Sequence, residues 1–313
     1  MMIKIGVVNI DVSHPLEFAK ILNEGDRERY VAVFNDGFRS ADEVNGFVKN
    51  QGLDKICSSI EELADYSDVG FIQGVNWDKH LEYAMEFIKR NKPVFIDKPI
   101  VGNTADCRKL IELEKSGAVI LGSSSARYCN EVREFLNLPE EERGKVLHLD
   151  ITVGVDEFNY AIHAVEAVSA LAQSRPVSVK YVGTSYQENQ KCETHFVEFE
   201  SGATACCHFI QGSYVKFNII IVSTKMNYCV TVNNGILYKA LLDQICNKLE
   251  GKENCLADME TITDSIKIAL AGKCSKQNGG LPIRIDSPEL DSVSFDGYAF
   301  EKEYAAKAVP IYI

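Results

Sequence analysis

The residues most able to do chemistry stand at the ends of apolar runs. Val94-Phe95-Ile96 reads as a short buried parallel strand and ends in Asp97-Lys98-Pro99. Ligands of open α/β sheets sit beyond the carboxyl ends of the strands, so this puts an acid and a lysine at the mouth of a site. Pro99 excludes the α region for Lys98 and holds it extended. The plain alternative is a charged strand-to-helix loop facing water. Asp11, His14, His80 and His163, like Lys98, fall at loops or helix starts that could line one cleft. Asn159 lies one helical turn before His163 on the same face. An imidazole titrating near ~6.5 suits proton abstraction at neutral pH, and a lysine beside it stabilises a developing alkoxide while lowering the imidazole pKa. Against this stands a histidine merely satisfied in a helix core. Asp and His are also ligands for divalent metals, so a metal-dependent hydrolase or lyase on Asp11, His14 and His163 is a further reading of the same residues.

The elements that must position these groups change character near residue 123. Before it the chain alternates strand and helix. Strands read at 3–8, 30–34, 68–72, 94–96 and 118–121, with helices opening at Pro15 and over 41–50, 61–63, 78–90 and 104–116. That period predicts an α/β, doubly wound parallel sheet of Rossmann type over 1–122. After it come a strand at 146–153, a long helix at 158–172, and strands at 177–182, 194–200, 203–209, 216–222 and 228–232, with Gly202 as a hairpin turn. Helices follow at 237–249 and 255–271. Residues 123–313 therefore read as an α+β domain with a mainly antiparallel sheet packed on the long helix, closing a cleft over the first sheet.

Composition bounds the partners. With 46% hydrophobic and 25% charged residues the 313-residue chain is ordinary for a soluble globular protein. Its net charge of −12 disfavours nucleic acid and anionic membrane, both of which need a basic footprint. No apolar stretch reaches the ~20 residues that span a bilayer, and no signal-peptide layout precedes the first strand, so a cytoplasmic location is expected. The ten cysteines include no Cys-x-x-Cys pair and no clustered zinc ligands at short spacing; they read as reduced thiols acting as small core residues.

In element order the chain resembles the Gfo/Idh/MocA family of nicotinamide-dependent sugar and inositol oxidoreductases. His80 opens the helix after Gly74-Val75-Asn76, Asp97-Lys98-Pro99 stands where the family has Glu-Lys-Pro, and Asn159 to His163 stands where it has Asp-x-x-x-His. Residues 266–271 are similar to its last long helix. The resemblance implies a Rossmann domain holding NAD or NADP and a second domain over a small polyol or sugar. It implies that Lys98 binds the substrate hydroxyl or the nicotinamide ribose, and that His163 takes the hydroxyl proton while hydride leaves the same carbon. Asn159 would orient His163. Arg127 and Tyr128 stand where the family contacts substrate, and His80 and Asp97 join the cofactor side. A homodimer or homotetramer through the second sheet is also implied.

The chain departs from that pattern at the phosphate turn. The three glycines of Gly-x-Gly-x-x-Gly are replaced by Asn9, Asp11 and His14. An aspartate ~4 Å from a phosphate costs several kcal/mol at an effective dielectric near 20. Either Asp11 turns away to cap the helix, leaving Ser13 and His14 as donors to phosphate, or the cofactor site is altered. Asp36, at the end of the second strand, stands where an acid binds ribose hydroxyls, which favours NAD over NADP. Loss of the glycines also supports a different class, a cofactor-free descendant that binds a small ligand or a partner protein.

Overall fold

The computed structural model describes residues 2–25 and 27–312. Its first sheet contains β1 (Ile3–Val8), β2 (Glu28–Phe34), β3 (Lys55–Ile56), β4 (Val69–Ile72), β5 (Val94–Ile96) and β6 (Ile120–Leu121), in the order β3-β2-β1-β4-β5-β6. Every pairing is parallel. Helices α1 (His14–Leu22), α2 (Ala41–Gln51), α3 (Ile60–Tyr66), α4 (His80–Ile88) and α5 (Thr104–Lys115) connect the strands. The strands are apolar along their length because helices cover both faces, and Val7, Phe71, Ile72, Phe95 and Ile96 are fully buried. Helix starts are marked locally. Ser40 and Glu43 form a capping box on α2, and Gly52 ends that helix in the left-handed conformation. The short β3 was not expected; its two residues pair only with Ala32 and Val33.

A 3-10 turn, Ser125–Tyr128, leads into α6 (Asn130–Asn137) and α7 (Glu140–Arg143). The second sheet contains β7 (Val146–Val155), β8 (Pro176–Gln187), β9 (Gln190–Phe199), β10 (Thr204–Gln211), β11 (Asn218–Ser223), β12 (Asn227–Thr231) and β13 (Ile283–Arg284), in the order β12-β11-β7-β10-β9-β8-β13. It is mainly antiparallel, as expected, except at its centre. There β7 and β10 run parallel, because the chain leaves β7 through α8 (Ala161–Ala172) and returns by two hairpins. The β8–β9 hairpin is longer than its apolar pattern suggested, its tip being polar and exposed. Ile162, Val165, Val168 and Leu171 of α8 pack on Leu149, Ile151 and Val153 of β7 and Ala205 and Cys207 of β10.

Helices α9 (Leu237–Leu249), α10 (Met259–Gln277) and α11 (Gly297–Lys307) complete the chain. The segment around α11 ties the second sheet to the first. The Trp77 indole N–H donates to Phe295 O at 2.8 Å, and Phe158 stacks on Phe295 with ring centroids 3.9 Å apart. The β4 turn and the start of α8 are thereby fixed to one aromatic cluster, which holds the cleft walls together.

Arg127 and Tyr128 are not in that cleft, which corrects the expectation that they meet substrate. The 3-10 turn points Arg127 into the second domain and Tyr128 into a core cluster shared by the first sheet, α1 and α9. Arg127 is buried and its Nε donates to Glu166 of α8, while Nη2 donates to Ser265 Oγ of α10 at 3.3 Å. The Tyr128 hydroxyl accepts from Ala257 N–H at 3.1 Å. Glu166 has no exposed surface, so the pair is a structural ion pair whose breakage strands a charge. Arg127→Ala is expected to destabilise the protein by about 3–5 kcal/mol. Urea unfolding should show a lower midpoint at unchanged slope.

Candidate functional site

The turn after β1 has the shape of a phosphate turn and different chemistry. Asn9 takes the left-handed conformation, φ 64°, that a first glycine would supply, and asparagine tolerates it better than most residues. Its amide is bonded on both sides to Asp36: Oδ1 accepts from Asp36 N–H at 2.9 Å and Nδ2 donates to Asp36 Oδ1 at 3.0 Å. The Tyr83 hydroxyl also donates to the Asp36 carboxylate, at 2.5–2.7 Å.

Asp11 does not cap the helix. It turns inward, fully buried, with Oδ2 accepting from Val75 N–H at 3.0 Å and Oδ1 left without a partner. A Cβ on Gly37 would stand 2.0 Å from Asp11 Oδ1, so only glycine leaves room there. Burial pushes the Asp11 carboxyl up to about 6 against the pull of the Val75 N–H, and Glu301 adds to the rise. Ser13, exposed, precedes α1 and its side chain caps nothing; His14 opens the helix.

A strap from the other end of the chain lies across this turn. Arg39 donates from Nε and Nη2 to Asp11 O at 3.0 and 2.7 Å, and from Nη1 to Val309 O at 2.8 Å. Ile311 N–H donates to Glu43 Oε1 at 3.3 Å, and the Tyr312 hydroxyl donates to Val12 O.

Beside the strap, the end of β5 opens on a cavity of about 160 Å³ lined by Ser13, His14, Lys98, Asn159, Tyr160 and His163, among others. Lys98 Nζ donates to Asn159 O and Oδ1 at 3.1 and 3.0 Å and sits 5.4 Å from the Tyr160 ring centroid. No carboxylate among the described residues pairs with it. Burial lowers its pKa, opposed by Asp97. Asn159 thus holds Lys98, not His163. The His163 partner is Ser124, whose Oγ lies 2.6 Å from Nδ1 and also accepts from Ala126 N–H. In the tautomer whose Nδ1–H donates to Ser124, Nε2 is a lone-pair acceptor. Burial, then the charges of Lys98 and His14, push the His163 pKa well below its usual value. Asp97 accepts from His14 at 2.6 Å and from its neighbour Lys98 N–H at 2.7 Å; these contacts outweigh its burial and keep its pKa low. Ser124, Tyr160 and Tyr238 were not singled out from sequence. Ser124 lay in a visible serine run after the last Rossmann strand, whereas Tyr238, 5.0 Å from the His14 ring, carried no local signal.

Two expectations are corrected. His80 has no exposed surface, and its ring nitrogens lie 2.9 Å from Gly74 O and 3.2 Å from Ile100 O, so it ties two turns together and offers a ligand nothing. The metal set Asp11, His14 and His163 does not converge: Asp11 faces Val75, His14 faces Asp97 and His163 faces Ser124.

Residues 3–124 match the model of an oxidoreductase family with an NAD-binding Rossmann fold. That family is Gfo/Idh/MocA, and the match covers the Rossmann domain of this chain. An inositol 2-dehydrogenase of Gluconacetobacter diazotrophicus is 37% identical over 60 residues, a match spanning 19% of this chain and 18% of that enzyme. Solved structures share the fold over nearly the whole chain. A probable dehydrogenase from Thermotoga maritima superposes with TM-score 0.77 at 16% identity, covering 90% of this chain and 99% of that one. A Lactobacillus casei myo-inositol dehydrogenase, in complex with NAD(H) and myo-inositol, gives 0.77 at 12% identity, covering 92% and 98%.

The residues fit the family's cofactor at its two ends. Asp36 stands at the end of β2, and Lys98 faces a cavity that adjoins a second one, of about 460 Å³, lined by Ser13, Arg39, Tyr160, Tyr304, Val309 and Ile311. The two cavities share Ser13, Asn159, Tyr160 and Tyr304. Between them Arg39 bridges the Asp11 and Val309 carbonyls, so the strap lies across the phosphate turn.

The raised Asp11 pKa carries a pH signature. The folded form holds its proton more tightly than the unfolded form, from 3.8 to about 6, so stability falls as pH rises through that window and the deficit persists above it. The gap amounts to about 3 kcal/mol. Asp11→Asn keeps the shape without the charge. It should raise stability by about 1–3 kcal/mol at pH 8 and by much less near pH 4, as measured by unfolding of both proteins across that range.

Proposed function

We propose that this protein is an NAD-dependent dehydrogenase of a polyol or related small hydroxy compound. The observation that carries the reading is the Lys98 ammonium, clasped by Asn159 and sharing one cavity with His163. When bound, the nicotinamide supplies the hydride acceptor. Lys98 donates to the substrate oxygen and stabilises it as it becomes an alkoxide, since an ammonium without a carboxylate partner has its charge available for that oxygen. His163, neutral at working pH, accepts the hydroxyl proton at Nε2, with Ser124 fixing the ring. Asn159 positions Lys98 and lets it keep its donor directed at the cavity.

Asp36 supports NAD over NADP, because its carboxylate repels a 2′-phosphate. Arg39, the cation nearest that position in sequence, is committed to Asp11 O, Glu43 and Val309 O. Asn9 and Asp36 would hold the adenosine ribose, and Ser13 and His14, at the start of α1, would face the phosphates. The myo-inositol named with the Lactobacillus casei structure and the small first cavity both support a compact polyol as substrate. Ten cysteines outside any disulfide support a reducing, cytoplasmic setting. Ile220, a large apolar side chain exposed on the outer face of the second sheet, supports a homodimer or homotetramer through that sheet. The knitted turn of Asp11, Arg39 and Val309 favours one other reading, a descendant that binds a small ligand without a dinucleotide.

Reduction of NAD at 340 nm with myo-inositol and a panel of other polyols tests the proposal. Lys98→Met and His163→Ala should each lower kcat/KM by about 10²–10⁴-fold. Because the neutral form of His163 is favoured in the folded protein, the acid limb of kcat/KM should lie well below pH 6.5. No reduction with any polyol, together with no NADH binding at millimolar concentration, would favour the dinucleotide-free reading.

A further inference from the structure

The open face of the second sheet carries a group of side chains unrelated to the cleft. β7 contributes His148 and Asp150, two residues apart and therefore on one face; β10 contributes Cys206 and His208 in the same way. The two strands are parallel neighbours in a register that sets Cys206 beside Asp150 and Thr204 beside His148. One ligand atom each from His148, Asp150 and Cys206 lies within 4.8 Å of the others. His208 Nε2 stands 3.3 Å from Asp150 Oδ2, adjoining the group as a fourth donor. Among the described residues no other three His, Cys, Asp or Glu side chains converge this way.

We infer that His148, Asp150 and Cys206, with His208 as the fourth ligand, form a zinc site on the outer face of this sheet. Thiolate, imidazole and carboxylate together are the donor set of Zn²⁺, and four such groups can complete a tetrahedron. Ligand atoms around a tetrahedral zinc stand ~3.3–3.8 Å apart, so His148, Asp150 and Cys206 close by small side-chain rotations and His208 joins from its contact with Asp150. Both imidazoles are already oriented by hydroxyls. His148 Nδ1 lies 2.8 Å from Thr204 Oγ1, which leaves its Nε2 for a metal; His208 Nδ1 lies 2.9 Å from Thr194 Oγ1, and its Nε2, now on the Asp150 carboxylate, would exchange that contact for the ion. Such outer partners fix ring orientation and tautomer in metal sites. Neighbouring strands place Phe196 and Ile220 beside Cys206 and Asp150, which gives the polar group an apolar frame.

The pattern was present in the sequence as His-x-Asp and Cys-x-His. Neither segment alone has the short Cys or His spacing of a metal motif, because a central pair of parallel strands joins two distant ones.

The test is metal binding by the whole, chelator-stripped chain. Titration with Zn²⁺ against a chromophoric chelator should give one tight site per chain, with about one proton released per ion at neutral pH. Co²⁺ in its place should give a thiolate-to-cobalt charge-transfer band in the near ultraviolet. Cys206→Ser and His148→Ala should weaken binding by more than the ~10–100-fold expected for loss of an outer partner, and Thr204→Val by about that much. Cys206→Ser should also abolish the cobalt band, whereas Cys229→Ser, at an exposed thiol of the same sheet, should leave both unchanged. Absence of a stoichiometric site, or equal zinc affinity in the wild type and Cys206→Ser, would overturn the inference. Polyol oxidation is not a readout of this test, so the two proposals stand or fall separately.

Discussion

An ammonium group withdrawn from water without a carboxylate beside it is the constraint around which the cleft is built. Burial disfavours the charged form of Lys98, and Asp97, the acid next to it in sequence, is spent on His14. What remains to Lys98 is the amide and carbonyl of Asn159 and the face of Tyr160, both from the second domain. Neutral acceptors solvate the ammonium without neutralising it. The site therefore keeps a positive charge with no carboxylate in direct contact among the described residues, aimed at a cavity, which suits it to stabilising an oxyanion there. The same charge, with burial, keeps His163 deprotonated. On the proposed reading, the lysine that would favour an alkoxide and the imidazole that would accept its proton are two consequences of one electrostatic arrangement.

The opposite end of the cleft is built on the reverse principle. At the phosphate turn several side chains are paired inside the chain, and one buried oxygen of Asp11 has no partner among the described residues. Asn9 is held by Asp36, Arg39 by the Asp11 carbonyl and Val309, and Tyr312 by Val12. A glycine turn leaves backbone free to approach a pyrophosphate; this turn has side chains that hold its neighbours together. Binding of a dinucleotide here must exchange those internal bonds for bonds to the ligand, and the orphaned Asp11 oxygen marks where the internal set is incomplete.

Much of the architecture was legible in residue patterns. Apolar runs ending in polar turns marked β1, β2, β4 and β5, and the switch to alternating strands marked the second sheet. Asp97-Lys98-Pro99 and His163 were legible as a site because strand ends and helix starts are where α/β sheets hold ligands. The partners were not. Asn159 reads as a neighbour of His163 by helical spacing, yet it serves Lys98 across the cleft, and Ser124 serves His163; spacing along a helix says nothing of what approaches from another domain. Arg127 was misread for the same reason, since the 3-10 turn that aims it at Glu166 has no periodicity to reveal it. The parallel β7–β10 pair was hidden because hairpins between the two strands suggest only antiparallel neighbours.

The account rests on Lys98 and His163 acting on one molecule, and the most direct measurement is a crystal structure of the protein with NADH and myo-inositol. The account predicts one hydroxyl within hydrogen-bonding distance of both Lys98 Nζ and His163 Nε2, with residues 308–312 displaced from the phosphate turn. A polyol bound away from either group, or a strap still closed over Asp11 with no ordered dinucleotide, would contradict it.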